Sequence, residues 1–387
     1  MKTETRHCPH PLLMKLIVLV ALFAAGCGLS ISLDSAESRE CLLQHDYQHL
    51  PRPKLVGRRS HYREQFRKIL TGFLAGTGDR YNMMLSSGKR RVLTDWLSDN
   101  GGAVNAHAIW LTRGFDESWV SRSDLEQMAR QGIVPVLILY YFAQDISREH
   151  VLKHRKDWFF YLMKVAAIAS IDYPVLIVLE PEFNDESNDD ETLVISWAGF
   201  NEVVIDGIYI LRSLAPNVLV GVCPGDFGDR QELELAAGEA IQYSDFVAFQ
   251  EMRASTRPSL VNDKYEDLTE RALAFSGRLH QIFDKPVLLA YTAVSTYNGD
   301  DANWTQYQAD IMYNLYTAVP QLRANGVFGI LNFMLFDDPE HEGWFEEAER
   351  YFGLVDFDGN PKSGWWVFKE RLSSLKNILT RVKPPGK

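Results

Sequence analysis

The stretch Pro174-Val-Leu-Ile-Val-Leu-Glu180-Pro-Glu182-Phe-Asn184 sets five apolar residues directly before two carboxylates. The run is too short for a helix and rich in β-branched residues, so it reads as a strand buried on both faces. Glu180 and Glu182 are two apart, and side chains alternate along an extended chain, so both are expected on one side. A buried strand ending in same-facing acids is how an α/β scaffold delivers proton-transferring groups to a pocket mouth.

The same pattern of strand, polar tip and helix recurs outward from this stretch. Upstream, strands are expected at Ile69–Ala75 (with Gly76 and Gly78 after it), Val104–Leu111 and Ile133–Phe142. Downstream, they are expected at Val218–Cys223, Phe246–Gln250, Val287–Tyr291 and Val327–Phe336. Helical segments alternate with them: around Val92–Leu97, Ser123–Arg130 (capped by Ser121 or Ser123), His150–Ser170, Val194–Leu214, around Leu233–Ile241, Leu268–Phe283, Tyr307–Leu322 and Trp365–Leu379. Counting Pro174–Glu182 as strand four, eight strands alternate with about eight helices, the pattern of an α/β fold, a single-domain (β/α)8 TIM barrel. A doubly wound sheet is the alternative, but no Gly-x-Gly-x-x-Gly follows any strand to form a dinucleotide crevice.

The chain has 387 residues, 46% of them hydrophobic and 12% aromatic, enough for a large core. Its formal charge of -11 argues against nucleic acid and anionic membrane surfaces as partners, because both select basic patches. At the N-terminus, Lys2, Arg6 and Lys15 precede the apolar run Leu16–Ala25, too short to span a bilayer comfortably. It closes on Ala24-Ala25-Gly26-Cys27, which resembles the lipobox of bacterial lipoproteins, with Ala24 where leucine is usual. The resemblance implies cleavage before Cys27, lipidation of its thiol and a membrane tether; a plain secretory signal is the alternative. The divisions expected are a signal at 1–27, a tether at 28–63, the barrel at 64–380 and a tail at 381–387. The place expected is the outer membrane or cell surface, since Gly28 is not the aspartate that signals inner-membrane retention in enteric bacteria. Cys41 and Cys223 are left to form a disulfide in an oxidising compartment.

In a barrel of this kind the chemistry sits at the carboxyl ends of the strands. Those ends offer Trp110 and Arg113, Tyr140 and Tyr141, Glu180 and Glu182, Asp226, Gln250 and Glu251, Tyr291, Asn332, Asp337 and Asp338. Acids, amides and aromatics are present, but no His cluster for a metal and no Gly-x-Ser-x-Gly elbow; His107 and His341 are scattered. No metal and no cofactor are expected. The acidic loop Asn184–Glu191 lacks the spacing of a calcium loop and reads as solvated. Acids with aromatics suit glycoside chemistry, in which one carboxylic acid protonates the leaving oxygen and a second carboxylate attacks or activates water.

Leu179-Glu180-Pro181-Glu182 and the run Tyr351-Phe-Gly-Leu-Val-Asp-Phe-Asp-Gly-Asn-Pro-Lys-Ser-Gly-Trp-Trp366 resemble the (β/α)8 glycoside hydrolases of the large clan whose acid/base glutamate ends strand four. The likeness covers roughly Ile69 to Leu379. It implies a polysaccharide or glycan substrate and carboxylate acid/base catalysis; the protein is expected to be a monomer. Two positions depart from the clan: Leu179 replaces the asparagine before the acid, and Tyr291 stands where strand seven should carry the nucleophilic glutamate. The second carboxylate is therefore expected elsewhere, Glu251 first, then Asp337 and Asp226. Leu-Glu-Pro-Glu is also similar to the Leu-Glu-Pro-Asp of one inverting cellulase family whose final acid is the proton donor, which leaves Glu180 and Glu182 both open. Trp110, Tyr140, Tyr141, Asp226, Gln250, Tyr291, Asn332 and Asp337 are the expected sugar contacts. A barrel that kept its glycan groove and lost its catalytic pair is the competing reading.

Overall fold

The alternation of strands and helices closes on itself. A computed structural model describes residues 59–78, 82–84, 90–92, 104–115, 119–142, 147–184, 199–226, 230–254, 267–297 and 304–380. Among them eight parallel strands form a closed barrel: β1 (Leu74–Gly78), β2 (Ala106–Thr112), β3 (Val134–Tyr140), β4 (Val175–Leu179), β5 (Val218–Val222), β6 (Phe246–Arg253), β7 (Val287–Val294) and β8 (Val327–Phe333). β1 seals the ring by pairing with β8, from Leu74 opposite Gly329 to Gly78 opposite Phe333. A small antiparallel hairpin, Asn82–Met84 with Arg90–Val92, lies between β1 and β2 in the chain. The described residues form a single-domain (β/α)8 barrel.

The helices are α1 (Arg63–Thr71), α2 (Arg122–Arg130), α3 (Arg148–Ala169), α4 (Gly199–Leu214), α5 (Arg230–Tyr243), α6 (Leu268–Phe283), α7 (Thr305–Thr317), α8 (Val319–Ala324) and α9 (Ser363–Leu375). Alternation along each strand divides the core in two. In β4, Leu176 and Val178 fill the barrel interior, whereas Val175, Ile177 and Leu179 pack in the layer beneath the helices. This is why the strand reads as continuously apolar: both of its faces are covered. Gly221 in β5 lets the interior close, because a Cβ there would lie 2.2 Å from the Phe246 ring.

Several element limits differ from the sequence reading. Ile69 belongs to α1, and the first strand begins at Leu74. Phe66 and Ile69, three apart on that helix, join the interior cluster, so α1 plugs the amino end of the barrel. A short apolar run does not separate a last helical turn from a strand. The expected helix Tyr307–Leu322 is two, α7 and α8, because Pro320 in the first turn of α8 has no N–H to continue the α7 ladder. Ser121 caps α2 in a capping box with Asp124. Val92 closes the hairpin, and the rest of the helical stretch expected around it lies outside the described residues, as do the signal, Cys27, Cys41, most of the tether, the acidic loop after Asn184 and the C-terminal tail. No helix among the described residues is long and apolar enough to cross a membrane.

Candidate active site

β4 ends at Leu179, and the two acids beyond it do not continue the extended chain. Glu180 and Glu182 both take left-handed backbone angles, φ +44° and +59°. The expectation that they share one side therefore fails: it rested on extended geometry, and each left-handed residue turns the chain through a corner.

Glu180 swings into the layer beneath the helices. Its Oε2 accepts from the backbone N–H groups of Tyr141 (3.2 Å) and Phe142 (3.1 Å), and its Oε1 from the indole N–H of Trp158 on α3 (2.8 Å). It is 2% exposed. Burial pushes its carboxyl up to about 8, although the three hydrogen bonds pull it down. Glu180 thus ties the ends of β3 and β4 to α3, away from the mouth.

Glu182 goes the other way. Its N–H donates to the Cys223 carbonyl (2.9 Å), and its side chain, partly exposed, accepts a hydrogen bond from the Tyr291 hydroxyl. Tyr291 belongs to the barrel interior, and burial first, then Glu182, pushes its phenol well above the usual range. Around it lies an aromatic floor. The Trp110 ring sits 4.9 Å from Tyr291, 5.4 Å from Phe333 and 6.0 Å from Tyr140, each edge-on. Edge-to-face packing at these spacings is the favoured arrangement of aromatic rings. Gln250, following outward-packed Phe249, has the inward parity on β6.

The other candidate carboxylates are committed elsewhere. Glu251 follows Gln250 and faces outward, 2% exposed, 3.5 Å from both Arg253 and Arg271 of α6. Burial pushes it up to about 7 against the pull of those cations. Asp226 pairs with Arg271 (3.3 Å) and Arg278 (3.4 Å), also on α6. Asp337 is buried 2.6 Å from Lys362 and accepts from the Gly353 N–H (2.9 Å), so it fastens the Gly-Leu-Val-Asp and Pro-Lys run to the end of β8. Each of the three is thus engaged by arginine or lysine: Glu251 and Asp226 by arginines of β6 and α6, Asp337 by Lys362.

Two expected sugar contacts are likewise turned away. Tyr141 packs against Tyr161 (5.1 Å) under the Arg113 guanidinium (5.2 Å). Asn332 donates to the Gly76 carbonyl and the Tyr316 hydroxyl of α7, both at 3.0 Å. Cys223 is a free, fully buried thiol rather than half of a disulfide. No cluster of three metal-ligating side chains occurs among the described residues.

Sequence reasoning missed one pair at this end of the barrel. His341 Nε2 lies 3.1 Å from Glu349 Oε2, and the His341 ring packs 5.3 Å from Phe333. The two residues are eight apart in an irregular segment, so no periodicity joins them.

No family model and no curated protein matches the chain. Solved structures do. A β-D-glucuronidase from Dictyoglomus thermophilum superposes with a TM-score of 0.57 at 13% identity, covering 80% of this chain and 52% of that one. An exo-β-1,4-mannosidase from Opitutaceae bacterium strain TAV5 gives 0.56 at 15%, over 79% and 60%. The GH53 catalytic domain of Ignisphaera aggregans gives 0.52 at 16%, over 77% and 96%. The chain has the barrel fold of these glycoside hydrolases. It spans about half the length of the glucuronidase it resembles. At such identities the likeness is one of fold, and chemistry has to be argued from the site.

Proposed function

We propose that this chain is a glycoside hydrolase-like lipoprotein that cleaves O-glycosidic bonds of a polysaccharide or glycan at the cell envelope, with Glu182 as the proton donor. One observation carries the reading: Glu182 accepts a hydrogen bond from Tyr291, whose ring belongs to the aromatic floor. The resemblance sets the clan's nucleophile at Tyr291, taken as the end of strand seven, whereas β7 runs on to Val294; here Tyr291 orients an acid. Trp110 and Tyr140 supply ring surface and edge for a sugar, and Gln250 an amide for its hydroxyls. The test is a screen of the purified protein on a polysaccharide and glycan panel with reducing-end detection. New reducing ends are expected on at least one polymer. Their absence across the panel sinks the hydrolytic reading.

A second reading is a glycan-binding barrel without turnover. It is favoured by the ion pairs that engage Glu251, Asp226 and Asp337 with arginine or lysine. Retention of a polysaccharide on the protein in affinity electrophoresis, with no new reducing ends, distinguishes it.

The tether belongs to the same proposal. Cys27 carries acyl chains that hold the barrel, a monomer, at the outer membrane or cell surface. Labelled palmitate is expected to enter the wild-type chain in a bacterial host and not Cys27→Ser. Equal labelling of both refutes the anchor.

A further inference from the structure

We propose that His341, oriented by Glu349, is the catalytic base of the Glu182 site, so that hydrolysis proceeds by direct attack of water. The inference rests on the glycosidase reading above and gives Glu182 a partner.

The observations are local. Phe333 ends β8 and packs both against the barrel interior and against the small cluster of Ala293, Met334 and Phe352. Its ring touches Trp110 (5.4 Å) and Tyr291 (6.2 Å) on one side and His341 (5.3 Å) on another. His341 is thus joined to Tyr291, which holds Glu182, through one intervening ring, Phe333. Its side chain remains 30% exposed, so solvent reaches it.

Glu349 is built to hold that imidazole. It is 4% exposed, on a short helical turn, Glu346–Tyr351. Its Oε1 accepts from the Phe345 N–H (2.9 Å), which leaves Oε2 for His341 at 3.1 Å. Gly343 makes the approach possible, since a Cβ there would lie 2.6 Å from Oε1. A buried carboxylate beside Nε2 keeps the ring proton on that nitrogen, which presents Nδ1 as the acceptor. A carboxylate that fixes the tautomer and orientation of a histidine is the arrangement in which imidazole takes a proton from water or a hydroxyl.

The step balances as follows. Nδ1 of His341 removes a proton from water as the water oxygen bonds to the anomeric carbon. The bond from that carbon to the glycosidic oxygen breaks, and Glu182 gives its proton to the departing oxygen. His341 then returns its proton to solvent, and Glu182 takes one back. A single displacement inverts the anomeric configuration.

The test uses the full-length protein on 4-nitrophenyl and 2,4-dinitrophenyl glycosides of glucose, mannose, galactose, N-acetylglucosamine and glucuronic acid. Dinitrophenolate departs without protonation, so it bypasses an acid but not a base. His341→Ala and His341→Gln are expected to lose about 100-fold or more in kcat on both leaving groups, with part restored to His341→Ala by added imidazole. Glu182→Gln is expected to lose activity on the nitrophenyl series only, and proton NMR of the wild-type reaction to show inverted product. Activity of both His341 variants within about 3-fold of wild type, or product with retained configuration, overturns the base while leaving the hydrolase reading intact. A wild type that turns over none of these glycosides and no polymer overturns both. Matching thermal melts of wild type and His341→Gln separate loss of chemistry from loss of fold.

Discussion

Replacing Glu182 with glutamine is expected to lower kcat on a polymeric substrate by about 10²–10⁴-fold, the usual contribution of a positioned general acid. The same change is expected to shift unfolding free energy by less than about 1 kcal/mol. The contrast follows from geometry. Glu182 is partly exposed, and the glutamine amide oxygen can still accept from Tyr291, so the corner after β4 keeps its contacts. What disappears is a proton on a group facing the aromatic floor. Kinetics on a cleaved polymer, paired with a urea titration, check both halves. Undiminished kcat in Glu182→Gln removes the acid from the scheme.

Glu180 is expected to behave in the opposite way, with its main effect on stability. Glu180→Ala strips the acceptor from three buried donors, the N–H groups of Tyr141 and Phe142 and the indole of Trp158, and opens a cavity. Such losses destabilise by about 3–5 kcal/mol. Glutamine is only a partial replacement, because its amide nitrogen would face one set of donors. The pH dependence is the sharper readout. Burial raises the folded carboxyl from 4.5 to about 8, so between those values the folded chain holds a proton that the unfolded chain has released. With more protons bound in the folded state, stability falls as pH rises through this window. Its contribution is full below about 4.5 and lost by about 8, an amount on the order of 5 kcal/mol. Glu251 and Asp337, both raised to about 7 chiefly by burial, act in the same direction. The comparison of wild type with Glu180→Gln therefore isolates one group. Denaturant melts from pH 4.5 to 8.5 are expected to show a shallower decline in the variant, and parallel curves would refute the assignment.

These two carboxylates show how far one dimension carries the reading. Their presence at the end of a buried strand was legible, because five apolar residues covered on both faces leave few alternatives to a parallel barrel strand. Their division of labour was not. It depends on two left-handed backbone angles, on an indole from α3 and on a phenol from β7, contacts that join residues 22 and over 100 positions apart. The same holds for Glu251. Its place at the end of β6 was legible, but the outward turn follows from alternation after Phe249 and from Arg271 on the next helix.

The number and order of barrel strands, the nature of the strand-end residues and the resemblance of the C-terminal run are all properties of local pattern: periodicity, capping and turn chemistry act over a few residues, and the chain order states them directly. That Glu182 meets Tyr291, that Glu251, Asp226 and Asp337 are bound by arginine or lysine, and that His341 meets Glu349 were decided only by closure of the barrel. Closure brings together groups far apart in sequence, and it alone determines whether a carboxylate meets water, a cation or a buried ring.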